Sequence, residues 1–281
     1  MSRLRVLTMN VLAPEHASWP ERCRLLAGRL RALEPDVVAL QEIAPDGVRE
    51  LLGDGWHVVA HSGVDGGVGA ALASRWPVGE THELDQRPAG RPIRPAWCAT
   101  VVAQVLAPSP WGPLWMVHHK PSRPYGYEAE REVQALRTAR FVEELLPRPE
   151  EHVVLLGDLD APPDSASIRF LTGKQALNGT SVCYTDAWAA LYPAEPGHTF
   201  TPENALVRAG DMPLETGRRI DYVLVRGGPW GPPLAVAACR RVLVDPIDGV
   251  QASDHYGVFA ELTLPPHPPG AWPELSRESS G

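Results

Sequence analysis

Residues 153–160 read Val-Val-Leu-Leu-Gly-Asp-Leu-Asp, and this stretch decides how the fold is interpreted. Four apolar residues followed by a glycine predict a buried β-strand over residues 153–157. Asp158 and Asp160 come directly after that strand, where a buried carboxylate is costly unless it has a partner. The stretch therefore predicts a sheet whose strand end contributes acidic side chains to a polar cleft.

Five further polar signatures stand at the ends of apolar runs elsewhere in the chain. Each follows or opens a segment that is typical of a buried strand: Thr8-Met9-Asn10, Gln41-Glu42, His118-His119, Arg219-Ile220-Asp221-Tyr222 and Ser253-Asp254-His255. Ionisable groups that recur at strand ends predict one shared cleft rather than separate surface features. Their residue types suit the binding of a hard divalent cation and the hydrolysis of a phosphate ester.

Composition limits the class of protein and of partner. The chain has 281 residues, of which 44% are hydrophobic, so it can bury a large core. Its formal net charge is −8. Proteins that bind duplexes without specificity usually present a basic face, because phosphate neutralisation supplies most of that affinity. The charge balance argues against such a binder, while a local basic cleft stays open.

Compartment and redox state are inferred from what the sequence lacks. Its four cysteines are far apart and form no CxxC pair, so we expect reduced, mostly buried thiols rather than a zinc site or a disulfide framework. The N-terminus opens directly into a predicted strand without a signal peptide. No apolar run reaches the roughly 18 residues that a membrane span needs. These observations predict a soluble cytoplasmic protein with no obligate protein partner.

Periodicity divides the chain into helices and strands. Helices are expected over residues 18–33, 46–52 and 128–146. Strands are expected over residues 4–11, 36–40, 56–60, 68–73, 100–106, 114–119, 153–157, 220–226, 236–244 and 256–264. The proline-bearing stretch 87–95 predicts a loop, and the long polar segment 193–217 predicts a binding loop or a lid.

The order of elements favours one domain over residues 1–264, with a disordered Pro/Ser-rich tail over residues 265–281. Strands outnumber helices, and both helix–strand and strand–strand neighbours occur. This pattern predicts an α/β fold of two packed sheets with helices outside.

The ordered set of signatures resembles the endonuclease/exonuclease/phosphatase superfamily, which includes DNase I-like enzymes. The motifs follow the family's order from residue 8 to residue 255, and they include residues 69–77 and the His-His-Lys at residues 118–120. The resemblance implies a four-layer α/β sandwich of two mostly antiparallel sheets, with the active site at one rim. It also implies a hydrolase that depends on Mg²⁺ or Mn²⁺.

Three residues are interpreted as metal ligands. Glu42 ends an apolar strand, and hard cations prefer carboxylate and water oxygens. Asn10 offers an amide oxygen at an equivalent strand end, and the Asn and Glu of these motifs serve such roles in the resembled family. Asp254 could add a further carboxylate. The plainer alternative for Glu42 is a solvated strand end.

The aspartates at residues 158 and 160 are interpreted as catalytic. Asp158 would accept a proton from the attacking water or orient that water. Asp160 departs from the commonest family pattern, which resembles Gly-Asp-Phe-Asn with Asn at this place. Two like charges this close raise one pKa or recruit a cation, so Asp160 would share a proton or hold a second metal ion. The structural alternative for the pair is an Asx-turn.

Asp221 and His255 suit a carboxylate–imidazole pair. The carboxylate would fix the tautomer and favour the cation, and cationic His255 would stabilise charge on the phosphoryl oxygens. Strand alternation lets only one of His118 and His119 enter the cleft. We favour His119, because similar family members carry a strand-end histidine there, and this leaves His118 as a core or edge residue.

Four side chains after this strand are expected to bind the phosphate or the leaving group: Lys120, Arg123, Tyr125 and Tyr127. A solvated loop is the alternative. The predicted activity is hydrolysis of a phosphodiester or phosphomonoester in a nucleic acid, a small phosphorylated compound or a lipid head group. The acidic charge favours small phosphate compounds or lipid head groups over a nucleic acid. The competing hypothesis is a catalytically silent phosphate-binding module with the same fold.

Overall fold

The computed structural model of the chain describes residues 2–63, 68–87 and 98–271. These ranges contain twelve strands: β1 (Leu4–Asn10), β2 (Val37–Gln41), β3 (His57–Ala60), β4 (Ala70–Ser74), β5 (Val78–Asp85), β6 (Ala99–Leu106), β7 (Pro113–Lys120), β8 (Val153–Asp158), β9 (Tyr184–Asp186), β10 (Asp221–Arg226), β11 (Ala235–Val242) and β12 (Gly257–Thr263). The same ranges contain six helices: α1 (Trp19–Leu33), α2 (Pro45–Leu52), α3 (Glu128–Leu145), α4 (Ala166–Leu171), α5 (Ala187–Leu191) and α6 (Ala205–Ala209).

The strands form two six-stranded sheets. The first has the order β11-β12-β1-β2-β4-β3 and the second the order β5-β6-β7-β8-β10-β9. Each sheet has one parallel pair, β1–β2 in the first and β7–β8 in the second, and its other pairs are antiparallel. The predicted α/β sandwich of two packed, mostly antiparallel sheets is confirmed.

Strand alternation divides the apolar side chains between an inner core and outer layers. In β1, Leu4 and Val6 face the space between the sheets, whereas Leu7 and Met9 face α1 and α2. Helix α3 covers the outer face of the second sheet in the same way. Full burial of an aliphatic side chain of this size contributes about 1.5–3 kcal/mol, so the inner core holds the two sheets together.

The registers bring the ends of several strands to one edge of the sandwich. Asn10 lies opposite Gln41 in the parallel β1–β2 pair, and Asp158 lies opposite Asp221 in the antiparallel β8–β10 pair. The loop before β12 lies at the same edge because β12 runs antiparallel to β1. Strand β7 also ends there, since it is parallel to β8.

The predicted helices and strands are present, with ends that differ by a few residues. Strand β5, an exposed edge strand of mostly polar residues with three carboxylates, was not predicted from the sequence, and neither were the short elements β9, α4, α5 and α6. The segment 193–217 is not an isolated loop: it contains α6 and buries Thr199, Phe200 and Asn204. Residues 88–97 and 272–281, with most of the predicted loop and tail, lie outside the described residues.

The structure also bears on the predicted state of the cysteines and on the predicted lack of a membrane span. Cys23, Cys98 and Cys239 are buried free thiols, and Cys183 is an exposed one. In the part of the chain that the structure describes, no helix combines the length and apolar character of a membrane span. The cytoplasmic location and the single domain over residues 1–264 stay predictions.

Candidate active site

Strand ends of both sheets bring six polar side chains together in one cleft: Asn10, Glu42, Asp158, Asp221, Asp254 and His255. Asn10 joins the two sheets, because its Nδ2 donates to Glu42 Oε1 at 3.0 Å and to Asp158 Oδ2 at 3.1 Å. Its Oδ1 accepts from the Leu12 backbone N at 3.0 Å, which fixes the amide orientation. Asn10 is therefore a buried bridge between the first and the second sheet.

Glu42 and Asp254 form the acidic side of the cleft. Glu42 has a φ of +61°, which is uncommon outside glycine, and its Oε2 accepts from the Ala13 backbone N at 3.2 Å. Burial raises the pKa of Asp254, and the nearby Glu42 raises it further against the opposing effect of His255. Neither carboxylate forms an ion pair with another described residue. Two neighbouring carboxylates of this kind fit a hard divalent cation.

Asp221 and His255 form a buried pair, with 2.9 Å between Asp221 Oδ2 and His255 Nδ1. Burial alone would lower the pKa of His255, but Asp221 and Asp158 outweigh it and raise that pKa to about 10. The ring of Phe200 packs on His255 with 4.9 Å between centroids. The raised pKa favours the cationic form of His255 at neutral pH, and because Asp221 engages Nδ1, the Nε2–H of that form is left for a ligand in the cleft.

Lys120 lies between the carboxylates of Asp158 and Asp160. Its Nζ donates to Asp158 Oδ2 at 2.8 Å and also to Asp160 Oδ2. Burial alone would raise the pKa of Asp158, but Lys120 and His255 outweigh this effect and lower it below the ordinary value. The Asp160 backbone N donates to Asp158 Oδ1 at 3.2 Å, and Asp160 has a φ of +51°. Asp158 and Asp160 therefore form the predicted Asx-turn, and their two carboxylates also lie close together around Lys120.

Gly157 permits the close approach of β8 to β7 that sets this geometry. A Cβ atom at Gly157 would lie 2.0 Å from the carbonyl oxygen of His119. No other residue type fits there without a shift of one strand, because a contact this short is strongly repulsive. The glycine in the Gly-Asp-Leu-Asp motif thus has a packing function next to the carboxylates.

The structure contradicts the prediction that His119 enters the cleft. Its Nδ1 lies 2.8 Å from Thr100 Oγ1 and 3.2 Å from Thr138 Oγ1, under α3 on the outer face of the sheet. Burial lowers the pKa of His119 to about 3. His118 points the other way, into the inner core, with its Nε2 at 2.7 Å from Gln41 Nε2. By alternation Lys120 shares the face of His118, and it reaches the site in place of His119.

The four residues proposed to bind substrate occupy different environments. Lys120 is not part of a solvated loop, because it is the last residue of β7 and only 3% of its side chain is exposed. Arg123 is partly exposed, and its Nη2 lies 3.5 Å from Asp211 Oδ2. Tyr125 is exposed, with one ring face against the Arg218 guanidinium at 4.2 Å. Tyr127 is half-buried and directly precedes α3.

Several supporting residues were missed in the sequence analysis. Ser253 Oγ donates to the Asn10 carbonyl at 2.8 Å, and Asn204 Nδ2 donates to the Ser253 carbonyl at 2.8 Å. Thr199 Oγ1 accepts from the Ile220 backbone N at 3.0 Å. Buried Arg22 donates to the carbonyls of the loop after β1 and to that of Ala252. Ser253 belongs to a recognised motif, but no local pattern marks the other three.

Two sets of donors could hold a metal ion. Glu42 and Asp254, with Asn10 beside them, form the first. Asp158, Asp221 and His255 form the second, since their ligand atoms lie within 4.8 Å of one another. The second set already contains the cationic His255 and contacts Lys120, so it suits an anionic substrate better than a cation. Asp221 Oδ1 is buried without a partner among the described residues, which leaves an acceptor for a solvent molecule there.

A sandwich of two six-stranded sheets with acidic and imidazole groups at one edge defines the class of DNase I-like proteins. The endonuclease/exonuclease/phosphatase family matches residues 7–255, and the chain belongs to that family. Members of the family are generally phosphodiester hydrolases. No curated protein sequence matches the chain.

Solved structures share this fold at low sequence identity. TDP2 of D. rerio, complexed with single-strand DNA product, is 20% identical with a TM-score of 0.76, over 94% of this chain and 100% of that chain. An endonuclease/exonuclease/phosphatase of Bacteroides vulgatus is 18% identical with a TM-score of 0.72, over 94% and 100%. The human Nocturnin catalytic domain with bound sulfate is 16% identical with a TM-score of 0.72, over 94% and 95%.

Proposed function

We propose that this chain is a divalent-metal-dependent phosphoesterase that hydrolyses a phosphodiester. The observation that carries the proposal is the Asn10 bridge, which holds Glu42 of one sheet and Asp158 of the other in a single cleft. The cation His255 lies in the same cleft with its Nδ1 on Asp221. A site that combines acidic donors with a fixed imidazolium suits a negatively charged ester.

Glu42 and Asp254 would hold the metal ion, supported by Asn10. They fit it because their two carboxylates are neighbours and neither forms a direct ion pair with a described residue, although the charges of Arg22 and His255 lie near Asp254. A bound Mg²⁺ or Mn²⁺ supplies a Lewis acid that polarises a phosphoryl oxygen.

Asp158, His255 and Asp221 have the other roles in the proposed mechanism. Asp158 stays ionised through Lys120 and His255, and its carboxylate orients the attacking water and accepts its proton. His255 donates from Nε2 to a phosphoryl oxygen, where negative charge develops in the transition state. Asp221 holds the imidazolium in place through Nδ1. His119 has no part in this mechanism, because its side chain lies on the outer face of the sheet.

The substrate we propose to test first is the end of a short single-stranded nucleic acid. The structurally similar D. rerio TDP2 was solved with a single-strand DNA product, and Arg123 and the exposed Tyr125 ring could take a phosphate and a base. The net charge of −8 favours a short substrate over a long duplex, and it keeps small phosphorylated compounds as the alternative. Affinity that falls steeply with salt would indicate several phosphate contacts.

A panel of phosphate esters tests the proposal. DNA and RNA oligonucleotides, nucleotides, inositol phosphates and phospholipids are incubated with the protein in Mg²⁺, in Mn²⁺ and in a chelator. We expect metal-dependent release of product from at least one phosphodiester and none in the chelator. Binding of phosphate esters without metal-stimulated hydrolysis across the panel would instead support the silent binding module.

A further inference from the structure

The buried lysine at the end of β7 is unusual for this chain. Of its 26 basic residues only Lys120 and Lys174 are lysines, and Lys174 is exposed. The side chain of Lys120 is only 3% exposed, and its Nζ donates to both Asp158 and Asp160. A lysine ammonium is a compact point charge, whereas an arginine presents a wide planar fork. The narrow space between two carboxylates therefore suits lysine.

Lys120, Asp158 and Asp160 depend on one another because their charges compensate. Asp158 and Asp160 are both buried, and without Lys120 two carboxylates would face each other away from water. Conversely, a buried ammonium is costly unless it is paired and hydrogen-bonded. Lys120 removes the repulsion between the aspartates, and the aspartates stabilise Lys120. Burial and the neighbouring Asp158 still raise the pKa of Asp160, against the opposing effect of Lys120. With both carboxylates ionised the trio would carry one net negative charge.

The hydrogen bonds also fix the direction of one carboxylate. Asp158 Oδ2 accepts from Lys120 Nζ at 2.8 Å and from Asn10 Nδ2 at 3.1 Å. Asp158 Oδ1 accepts from the Asp160 backbone N at 3.2 Å. Because Oδ2 has two donors and Oδ1 only one, Oδ1 keeps an acceptor position for a further donor such as a water molecule.

We propose that Lys120 is a positioning residue that, with Asp160 as its counter-charge, holds the Asp158 carboxylate in the orientation that water activation requires. The inference rests on the proposed function, because it assigns Lys120 a role in that reaction. It differs from the role in substrate binding that the sequence suggests, since the ammonium is occupied by two carboxylates. Asp160 acts through Lys120 and not on the substrate.

Three variants and a control test the role through charge. Lys120→Met leaves two adjacent buried carboxylates without a cation, so they repel each other or share a proton, and Asp158 is no longer held as an ionised acceptor. We expect kcat to fall about 100-fold, the scale of a lost general base, with KM changed much less. Asp160→Asn keeps Lys120 on Asp158, and we expect a loss of no more than about tenfold. The double variant removes the second carboxylate, so Asp158 has no neighbouring charge to repel it or to share its proton, and we expect it to be roughly tenfold more active than Lys120→Met. Exposed Lys174→Met is the matched control, with wild-type turnover.

Rescue by the second substitution separates positioning from packing. A lysine that only fills space would give a double variant no better than Lys120→Met, and this result, or near wild-type kcat in Lys120→Met, would overturn the inference. If Lys120→Met does not fold, the comparison of Asp160→Asn with wild type is made by lysine ¹⁵Nζ NMR. With two lysines in the chain, we expect one ammonium signal protected from exchange in the wild type and weakened protection in Asp160→Asn. An unprotected Lys120 signal in the wild type would contradict the buried pair.

Failure of the proposed function would look different. If either Glu42→Gln or His255→Ala keeps full turnover, the phosphoesterase mechanism itself fails. If those two variants lose activity while Lys120→Met keeps it, only the positioning role of Lys120 fails.

Discussion

His119 and His255 are both buried, yet their pKa values move in opposite directions. His119 lies between the hydroxyls of Thr100 and Thr138, so burial dominates and lowers its pKa to about 3. His255 lies against Asp221 and near Asp158, and these carboxylates outweigh burial and raise its pKa to about 10. The charge of a buried imidazole is therefore decided by its partners and not by burial alone.

This difference predicts two distinct titrations in metal-free protein. Imidazole ¹⁵N NMR should show His255 protonated from pH 6 to pH 9 and losing its proton as the pH rises toward about 10. His119 should stay neutral down to about pH 4. In Asp221→Asn the pKa of His255 should fall, because its nearest carboxylate is gone. A His255 that titrates near the ordinary value of about 6.5 in the wild type would contradict the ion pair.

Because the folded-state pKa of His255 is raised, the pair stabilises the fold most at pH values below the unfolded pKa of about 6.5. That contribution is lost as the pH rises through about 10, where folded His255 also becomes neutral. The donor that the proposed mechanism needs disappears over the same alkaline range. At neutral pH His255 keeps its proton, so most of the stabilisation remains and the donor of the proposed mechanism is present.

At the scale of elements, the contact between β7 and β8 connects packing with the site. Gly157→Ala places a Cβ at 2.0 Å from the His119 carbonyl, so the two parallel strands must separate. We expect a loss of about 2 kcal/mol in the free energy of unfolding, measured with denaturant, because overpacking costs this much in a rigid core. Turnover should fall too, since Asp158 follows directly.

The matched control for this substitution is Gly28→Ala in α1. No atom lies within 4 Å of a Cβ built at Gly28, and alanine is the better helix former by up to about 1 kcal/mol. We expect unchanged or slightly higher stability. Equal stability of the Gly157→Ala variant and the wild type would show that the strands can adjust without cost.

The positions of most helices and strands could be predicted from the local sequence pattern. The face of β7 that lines the cleft could not. Alternation correctly separates His118 from His119 and pairs His118 with Lys120. Which face meets the cleft depends on α3, whose Thr138 receives His119 on the outer side. The contact between Thr138 and His119 is a tertiary one, so the residue pattern within β7 cannot predict it. Edge strand β5 was missed for a related reason, because an exposed, mostly polar strand lacks the apolar alternation of a half-buried one.

At the scale of the whole molecule, the two sheets meet at the site through side chains that are distant in sequence, among them the Asn10 amide and the Asp221–His255 pair. Asn10 and Asp158 are 148 positions apart, yet the Asn10 amide bonds Asp158 directly. The order of motifs along the chain predicted the sandwich, which the structure and the family match confirm. It could not predict the contact of Lys120 with both aspartates, which depends on how β7 and β8 approach each other in three dimensions.

The measurement that tests the central claim most directly is turnover of a phosphodiester in excess Mg²⁺ by Glu42→Gln and His255→Ala. One variant removes a carboxylate on the first sheet and the other removes the imidazolium that lies against the second. We expect each to lower kcat at least ~100-fold relative to the wild type and to Lys174→Met, because each removes a charged group that stabilises the transition state. Rates close to wild type in either folded, purified variant would contradict a shared catalytic cleft.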